Sequence, residues 1–297
     1  MPSEKKVWTV LDIIKWGTGY LVEKGFDEAR LNIELLLSAT LGLKRFDLYV
    51  RYDQPLKQDE LERFKVLLRR RLAHEPVQYI IGKTNFYSID LKVDRRALIP
   101  RPETEVLVES VIEHCKNFFL KKEPLYILEI GTGSGCIPIA IAKFLKNACI
   151  TSLDKSREAL DLARENAGLT GTGEQIDFCE SDFLALGENI FGKKFDVIVS
   201  NPPYVSQAAF ETLAPEIKEF EPAVAVSDGT DGLTFFRKIS HLAPLLLNNP
   251  GWIFVETSFN QSQEIEKIFR ESGCREIQIK KDLANVDRVV AANWFKK

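Results

Sequence analysis

The sequence predicts an α/β domain preceded by a small helical bundle and a β-hairpin connector. From residue 125 onwards, short apolar segments with strand character alternate with helical segments, which is typical of a parallel sheet with helices on both faces. One of these strands, at 125–130, runs directly into a glycine-rich turn and an apolar helix. At the start of the chain, apolar side chains recur only at helical spacing. These observations divide the chain into a helical domain at 1–78, a connector at 79–100 and an α/β domain at 101–297.

Three amphipathic segments predict the helical domain. Each segment places its apolar residues on one face, as a helix in a bundle requires. The segments lie at 10–22, 27–41 and 58–73. The third segment ends in Arg69-Arg70-Arg71. On a solvated face these arginines would complement the helix dipole, and as a basic patch they would contact an RNA-rich partner, so that the sequence leaves both interpretations open.

Alternating apolar and polar residues at 85–93 and 96–99 predict a short hairpin as the connector. The proline-rich loop at 100–102 is expected to be stiff, and Glu103 or Thr104 is expected to begin a helix. Seven strands are then predicted, at 125–130, 149–154, 175–181, 195–200, 252–257, 276–281 and 288–294. The link between the last two strands is too short for a parallel crossover, so this pair is expected to be antiparallel.

Composition and charge restrict the classes of function. The 297 residues include 40 Lys and Arg against 43 Asp and Glu, a formal net charge of -3, whereas a chain that binds nucleic acid phosphates non-specifically would be clearly basic. The N-terminus lacks the apolar core of a secretory signal, and apolar stretches such as 137–142 are far shorter than the roughly 20 residues that span a bilayer. The 5 cysteines form no C-x-x-C pair, and the 3 histidines are far apart. We therefore expect a cytoplasmic protein with reduced thiols and no metal site.

The glycine-rich turn is the first candidate site. Gly131-Thr132-Gly133-Ser134-Gly135 follows a buried strand, where glycines allow a tight turn and the close approach of a ligand to the backbone. Asp154 ends the next strand, at a position from which a carboxylate accepts hydrogen bonds from ribose hydroxyls. The dinucleotide pattern G-x-G-x-x-G is not met, because Cys136 stands at its sixth position. S-adenosylmethionine, which has a ribose but no pyrophosphate, fits better, although the glycines alone also fit an ordinary strand-to-helix turn.

Two further residues extend this site along the predicted sheet. Asp182 and Phe183 follow the third strand, from which they would reach the edge and the face of an adenine ring. Phe183 by itself also fits simple core packing. Ligands in open α/β sheets bind outside the carboxyl ends of the strands, so all these residues are expected to converge on one crevice.

The fourth strand ends in Asn201-Pro202-Pro203-Tyr204. The prolines fix φ and remove two backbone donors, which leaves a stiff loop whose carbonyls can face a substrate. The Asn201 side-chain oxygen and the Pro202 carbonyl are two acceptors, suited to the two N–H bonds of a planar NH₂ group. Tyr204 adds a flat ring that can stack on an amide or a base. The loop is therefore predicted to bind a planar NH₂ group.

These residues resemble the Asn-Pro-Pro-Tyr family of S-adenosylmethionine-dependent amino methyltransferases, which implies a Rossmann-like class I methyltransferase fold. Within that family the chain is similar to the peptide chain release factor glutamine methyltransferases, in the motifs IPRPETE, LEIGTGSGC, SNPPY, EPAVAVSDGTDGL and KDLANVDRVV and in the connector EPVQYIIGKTNFYSIDLKV. The similarity covers nearly the whole chain and is weakest at its start. It implies methyl transfer from S-adenosylmethionine to the side-chain amide nitrogen (N5) of the Gln in the Gly-Gly-Gln loop of class I release factors.

The resemblance also implies roles for individual residues. Cofactor contacts are implied at Gly131 to Gly135, Asp154, Phe183 and Asn201. Substrate contacts are implied at Asn201, Pro202, Pro203 and Tyr204, and we expect Asn201, Pro202 and Tyr204 to act in catalysis. The chain departs from some relatives by having Phe183 for Trp and Glu129 for Asp. No general base is evident, and Glu103 and Glu105 fit either helix caps or the cofactor entrance.

The implied partner is a release factor, with the helical domain as its docking surface. We expect a monomer that needs neither nucleic acid nor a membrane. Three alternatives stay open: a DNA adenine N6-methyltransferase, a ribosomal protein glutamine N5-methyltransferase, and a binding module that holds the cofactor without catalysis. The sequence opposes the first by its lack of an extended basic region, the second by Pro-Glu-Thr-Glu after Arg101, and the third by its complete Asn-Pro-Pro-Tyr loop.

Overall fold

The computed structural model describes residues 7–119, 121–187 and 192–295. The chain forms two compact units, Met1–Gly82 and Lys83–Lys297. Residues 1–6, which belong to the segment that predicted the lack of a secretory signal, lie outside the described residues. Among the described residues, no helix combines the length and the apolar character that a bilayer span requires.

The first unit is a bundle of helices. Its helices are α1 (Val10–Glu23), α2 (Ala29–Leu41), α3 (Arg45–Val50), α4 (Gln58–Leu72) and α5 (Val77–Ile81). Three of them, α1, α2 and α4, are the three helices that the amphipathic pattern predicts. Thr9 begins α1 with a capping box, in which its hydroxyl accepts from the Asp12 amide and the Asp12 carboxylate accepts from the Thr9 amide. Leu36, Leu37 and Phe64 lie in the shared core.

The arginines at the end of α4 do not form a basic patch, and the interpretation as a solvated face fits Arg69 but not the buried Arg71. Arg71 is buried, donates to the Asn32 side-chain oxygen at 2.7 Å, and stacks on the Phe26 ring. Arg70 forms two hydrogen bonds of 2.8 Å with the Glu75 carboxylate. Only Arg69 is exposed. Two of the three charges therefore stabilise the bundle, because Asn32 and Glu75 satisfy them within it.

The second unit begins with the hairpin, β1 (Lys83–Phe86) and β2 (Ile89–Lys92). Phe86 and Leu91 pack in the same core as Leu107 of the α/β domain, so the hairpin is part of this unit. The limits of the predicted connector need correction at both ends. Residues 79–81 belong to α5, and residues 96–99 form a loop rather than a strand.

Seven strands form one sheet, as the sequence predicts. They are β3 (Leu125–Ile130), β4 (Ala148–Asp154), β5 (Ile176–Glu180), β6 (Phe195–Ser200), β7 (Leu247–Glu256), β8 (Cys274–Lys281) and β9 (Asp287–Trp294). Their order is β5-β4-β3-β6-β7-β9-β8, and the first five of these strands are parallel. The pairs β7–β9 and β8–β9 are antiparallel. The short link between the last two strands predicts the second of these pairs but not the first.

Helices cover both faces of the sheet. The long helices of this unit are α6 (Thr104–Phe118), α7 (Cys136–Phe144), α8 (Arg157–Thr170), α12 (Thr234–Leu246) and α13 (Ser262–Glu271). Three short helices, α9 (Gln207–Phe210), α10 (Pro215–Phe220) and α11 (Ala223–Val226), lie in the segment between β6 and α12. Successive residues of β3 enter opposite cores, because side chains alternate along a strand. Ile127 packs with α6 and α7, and Leu128 packs with α12 and α13. This is the doubly covered sheet that the alternating pattern predicts.

Candidate active site

The carboxyl ends of β3, β4, β5 and β6 open onto one crevice. The residues that follow these strands line it together, and the crevice contains about 1010 Å³ of space that is open to solvent. The structure brings together the predicted residues Gly131 to Ser134, Asp154, Asp182, Phe183, Asn201 and Pro203 in this crevice.

The glycine turn after β3 has a backbone that requires glycine. Gly131, Gly133 and Gly135 have φ of +81°, +53° and +82°, in the left-handed region that side chains disfavour. The amides of Gly131 and Thr132 donate to the Leu153 carbonyl at 2.8 Å and 3.0 Å, which ties the turn to β4. A Cβ on Gly133 would come no closer than 3.9 Å to Ala97, so the crevice side of the turn is free for a ligand.

Two side chains of the turn point inward. Thr132 and Ser134 are both buried, and the Thr132 hydroxyl lies 3.2 Å from the Ser152 hydroxyl. The Asn166 side chain donates to the Ser134 carbonyl at 2.9 Å. Thr132 and Ser134 therefore shape the turn, and both residues also line the crevice.

Asp154 is half-buried at the end of β4 and has one hydrogen bond on each carboxylate oxygen. Gly133 donates its amide to Oδ2 and Ser156 donates its amide to Oδ1, both at 2.9 Å. Each oxygen of a carboxylate can accept a further bond. The side chain is thus held in place with spare acceptors, which fits the two hydroxyls of a ribose.

Asp182 and Phe183 follow β5 as expected. Asp182 is exposed, and its Oδ1 accepts from the Leu184 amide at 3.0 Å, which begins a short 3-10 helix. Phe183 is only 4% exposed and belongs to the core that contains Leu128 and Ile198, yet it also lines the crevice. The two interpretations of Phe183 are therefore compatible, because one face of the ring can pack in the core beside a ligand.

Glu129 lies inside β3, directly below the glycine turn, and is fully buried. Ser152 donates its hydroxyl to Oε2, while Oε1 has no hydrogen-bond partner among the described residues. Burial raises the pKa of Glu129 to about 8, although the Ser152 and Thr132 hydroxyls oppose the shift. The crevice therefore has a carboxyl group beneath it that binds a proton near neutral pH.

A second pocket, of about 490 Å³, adjoins the crevice beyond β6. Asn201 lines both pockets, whereas Pro203 faces the crevice and Pro202 and Tyr204 face the second pocket. Apolar side chains, among them Leu98 and Leu213, form other walls of the second pocket. Asn201 thus lies at the boundary of two pockets, of which the second is the smaller.

Thr104 and Glu256 anchor this loop, and sequence reasoning assigned neither of them to the site. Asn201 donates from Nδ2 to the Thr104 hydroxyl at 3.1 Å, and Tyr204 donates its hydroxyl to Glu256 Oε1 at 3.1 Å. Burial raises the pKa of Tyr204, and the neighbouring Glu256 raises it further. Burial also raises the pKa of Glu256 to about 7. The tyrosine therefore stays protonated, and the glutamate titrates near neutral pH.

The loop is also buttressed from behind. Val205 donates its amide to the Val226 carbonyl at 3.1 Å, and Gln261 donates from Nε2 to the Tyr204 carbonyl at 3.0 Å. Gly232 packs so closely that a Cβ there would overlap the Tyr204 carbonyl oxygen. The Asp228 carboxylate accepts from the Thr230, Gly232 and Thr234 amides and the Thr230 hydroxyl, and these bonds hold its pKa at about 2.

The Pro-rich loop before α6 lines both pockets, a role that the sequence does not predict. Arg101 forms an ion pair of 2.5 Å with the buried Glu221, and Leu98 and Arg101 line both pockets. The motifs IPRPETE and EPAVAV contain the two charges, but nothing in their spacing indicates that they meet. Glu105 accepts from the Tyr87 amide at 2.7 Å, and Glu103 lies 3.8 Å from Arg288. The described lining of the crevice includes neither glutamate.

Comparison with known proteins agrees with this arrangement. Residues 12–82 match the family described as the PrmC N-terminal domain, and residues 104–223 match the methyltransferase small domain. The chain is 40% identical over 290 residues to the release factor glutamine methyltransferase of Geobacter sulfurreducens, with 98% of each chain covered. It is likewise 40% identical over 290 residues to the enzyme of the same name from Chlorobaculum tepidum, with 97% of this chain and 98% of the relative covered.

Among solved structures, a methyltransferase from Pyrococcus furiosus has a TM-score of 0.50 and 16% identity, over 80% of this chain and 99% of that chain. The human methyltransferase 10 domain containing protein has a TM-score of 0.51 and 14% identity, over 71% of this chain and 90% of that chain. At such low identity these likenesses concern the fold alone. They support the assignment of the sheet and its helices to a class I methyltransferase fold.

Proposed function

This chain belongs to the release factor glutamine methyltransferase family, and we propose that it methylates the N5 amide nitrogen of the Gln in the Gly-Gly-Gln loop of class I peptide chain release factors. The methyl donor is S-adenosylmethionine, and the product is S-adenosylhomocysteine. The observation that carries the proposal is the position of Asn201, which lines both the crevice and the second pocket. A side chain at this boundary can touch a donor in one pocket and an acceptor in the other.

The residues of the crevice fit the cofactor. The glycine turn offers exposed backbone, Asp154 has free acceptor capacity for the ribose, and Phe183 offers a ring for the adenine. Asp182, whose second oxygen accepts no described bond, would take the adenine amino group. The mainly apolar crevice suits the adenosine, which lacks a phosphate.

The second pocket fits the glutamine side chain. Leu98, Leu213 and Val226 would pack against its methylene groups, and Tyr204 offers an aromatic face to the amide. Asn201 Oδ1 and the Pro202 carbonyl accept the two N–H bonds of the amide and direct its nitrogen toward the crevice. This orientation supplies a large part of the rate increase, since it turns an encounter into a positioned reaction.

An amide nitrogen is a weak nucleophile because its lone pair is delocalised into the carbonyl. When bound, S-adenosylmethionine supplies a sulfonium methyl group, so that the new N–C bond forms as the S–C bond breaks and the sulfur leaves as a neutral thioether. Positive charge develops on the amide nitrogen, which makes its N–H bonds stronger donors. Asn201 and Pro202 therefore stabilise the transition state more than the ground state. The nitrogen loses its proton to solvent after the transfer.

The helical unit would serve as the docking surface for the release factor, which is a large protein. The formal net charge of -3 and the burial of Arg71 within the bundle favour a protein partner over a nucleic acid. We propose that the enzyme acts as a monomer in the cytoplasm, where release factors work, and requires no membrane.

The experiment that tests this function offers labelled S-adenosylmethionine with three acceptors in parallel: a purified class I release factor, ribosomal protein and DNA. The expected result is label in the release factor alone. Label in DNA would identify an adenine methyltransferase, label in ribosomal protein would identify the related glutamine methyltransferase, and cofactor binding without transfer to any acceptor would identify a binding module. Each of these three results would overturn the proposal.

A further inference from the structure

The side-chain amide of Asn201 has two orientations of similar shape, and only one of them suits the proposed reaction. Its oxygen must face the substrate, because the substrate amide offers N–H donors that only an acceptor can bind. In the structure the Asn201 nitrogen Nδ2 donates to Thr104 at 3.1 Å, and Oδ1 is left for another partner. Thr104 is 2% exposed, so water does not compete for this bond.

The Thr104 hydroxyl can donate as well as accept. It therefore selects one orientation of the Asn201 amide only if its own proton is donated to another group. Glu256, which is 1% exposed at the end of β7, lies beside it. Glu256 Oε2 has no hydrogen-bond partner among the described residues, and the Thr104 hydroxyl is near enough to lower the pKa of Glu256. A carboxylate can only accept, so beside an ionised Glu256 the threonine proton would turn toward the free Oε2, while the threonine oxygen accepts from Asn201.

We propose that Thr104 and Glu256 are positioning residues, which fix the Asn201 amide with its oxygen free for the substrate. The inference rests on the proposed function. When Glu256 is ionised it can only accept, so Thr104 donates to Glu256 and Asn201 in turn donates to Thr104. Tyr204 donates to the same carboxylate at 3.1 Å, so one buried charge holds both ends of the Asn-Pro-Pro-Tyr loop.

Protonation of Glu256 would allow the hydrogen bonds among Asn201, Thr104 and Glu256 to reverse their direction. A carboxylic acid can donate to Thr104, and Thr104 can then donate to Asn201 Oδ1, which turns the amide nitrogen toward the substrate. The groups that face Glu256 are Tyr204, Thr104, Glu103 and Arg288. Burial and Glu103 raise the pKa of Glu256, whereas the two hydroxyls and Arg288 lower it, and the resulting pKa is about 7. Transfer should therefore decline as the pH falls below about 7.

The test compares Thr104→Val, which keeps the shape but has no hydroxyl, with Thr104→Ser, which restores the hydroxyl. We expect Thr104→Val to lower kcat about 100-fold, the cost of a misplaced reacting group, with little change in the Kd of S-adenosylmethionine. Thr104→Ser should recover most of that loss. A Thr104→Val enzyme whose kcat is within about twofold of the wild-type value would overturn the inference.

Glu256→Gln provides a second, independent variant, which decides the question if Thr104→Val does not fold. A glutamine can donate to Thr104 at any pH, so this variant should have a low kcat and should lack the decline below about pH 7 that the wild-type enzyme shows. If the acidic decline persists in Glu256→Gln, another group is responsible and the inference is wrong.

A measurement without substrate separates this inference from the proposed function. The Asn201 side-chain NH₂ signals, assigned in nuclear magnetic resonance spectra through their loss in Asn201→Asp, should exchange slowly with solvent in the wild-type protein and faster in Glu256→Gln. An inactive wild-type enzyme on release factor would overturn the proposed function, and the exchange rates would then decide the inference by themselves. Equal exchange rates in the two proteins would overturn it.

Discussion

At Asn201 a single side chain borders two pockets and has its two polar atoms assigned to different tasks. Nδ2 binds Thr104, while Oδ1 remains available at the boundary of the pockets. The carboxylates around the site also have separate tasks. Asp154 is held by two backbone amides and keeps free lone pairs, whereas Glu129 and Glu256 are buried, which raises their pKa values to about 8 and about 7.

Replacement of Asn201 by Ala should separate transfer from cofactor binding. The variant would lose the acceptor that we propose for the transition state, so kcat should fall at least about 100-fold, as it does when one stabilising group of a transition state is removed. The glycine turn and Asp154 remain, so the Kd of S-adenosylmethionine should change by only a few fold. Single-turnover methyl transfer and calorimetric titration measure the two quantities. Near-normal turnover by Asn201→Ala would contradict the assigned role.

Replacement of Glu129 by Gln should change how stability depends on pH. The folded chain holds the Glu129 proton with a pKa of about 8, above the reference value of 4.5, so this group favours folding below about pH 4.5 and loses that contribution as the pH rises through 8. Each unit of pKa difference corresponds to about 1.4 kcal/mol. We expect the wild-type protein to lose a few kcal/mol of unfolding free energy across this range relative to Glu129→Gln.

Urea unfolding of both proteins between pH 5 and pH 8.5 measures this difference. Glu256 titrates in the same range, but it is present in both proteins and therefore cancels in the comparison. Parallel pH profiles for the wild-type protein and Glu129→Gln would show that Glu129 is ionised in the folded chain.

At the scale of elements, the site depends on loops that hold one another. The loop after β6 is fixed by the end of α11, through the bond from the Val205 amide to the Val226 carbonyl, and by the loop that follows α11, through the close contact of Gly232 with the Tyr204 carbonyl. The loop before α6 is fixed by the pair of Arg101 and Glu221. The strands therefore place the loops, and contacts between the loops set the positions of the reacting groups.

Gly232→Ala and Gly229→Ala form a matched pair that tests this buttress. Both glycines have positive φ, +83° and +73°, so each alanine costs about 1–2 kcal/mol of backbone strain. Only the Cβ at 232 would overlap the Tyr204 carbonyl oxygen, because the position at 229 is open. Gly232→Ala should therefore displace Tyr204 and lower kcat well below that of Gly229→Ala. Equal kcat values in the two variants would contradict the role of the contact.

The sequence predicts the elements whose signals are local. Every strand of the large sheet is a run of apolar or alternating residues, and the antiparallel end follows from a short link. The helices α3 and α5 were missed, because a helix of five or six residues depends on the packing around it more than on its own pattern. Strand β7 begins at Leu247, earlier than predicted, with Pro250 inside it.

The residues of the site likewise divide into those that the sequence predicts and those that it does not. Residues directly after a strand, such as Asp154 and Asn201, are predictable because the carboxyl ends of parallel strands meet at one edge. Thr104 and Glu256 are far apart in the chain, and no spacing rule brings them together. The burial of Arg71 was missed for the same reason, since its partner Asn32 lies on another helix.

At the scale of the whole molecule, the described lining of both pockets lies in the second unit, between Arg96 and Phe235. The first unit has its own apolar core. Cofactor binding and the recognition of the release factor are thus expected to belong to different parts of the chain.

Removal of residues 1–82 tests this division. The fragment 83–297 should bind S-adenosylmethionine with the Kd of the full chain, and a hundredfold excess of ligand over its Kd should stabilise it by about 2.7 kcal/mol. On the release factor, KM should rise much more than kcat falls. A folded fragment that no longer binds the cofactor, or one with an unchanged KM, would contradict the division.

The most direct measurement locates the transferred methyl group. A class I release factor is methylated by the full-length enzyme and analysed by peptide mass spectrometry, beside a release factor in which the Gln of the Gly-Gly-Gln loop is replaced by Glu. The account predicts one added methyl group on the N5 nitrogen of that Gln, and none in the variant. A methyl group on any other residue, or equal labelling of the two release factors, would contradict it.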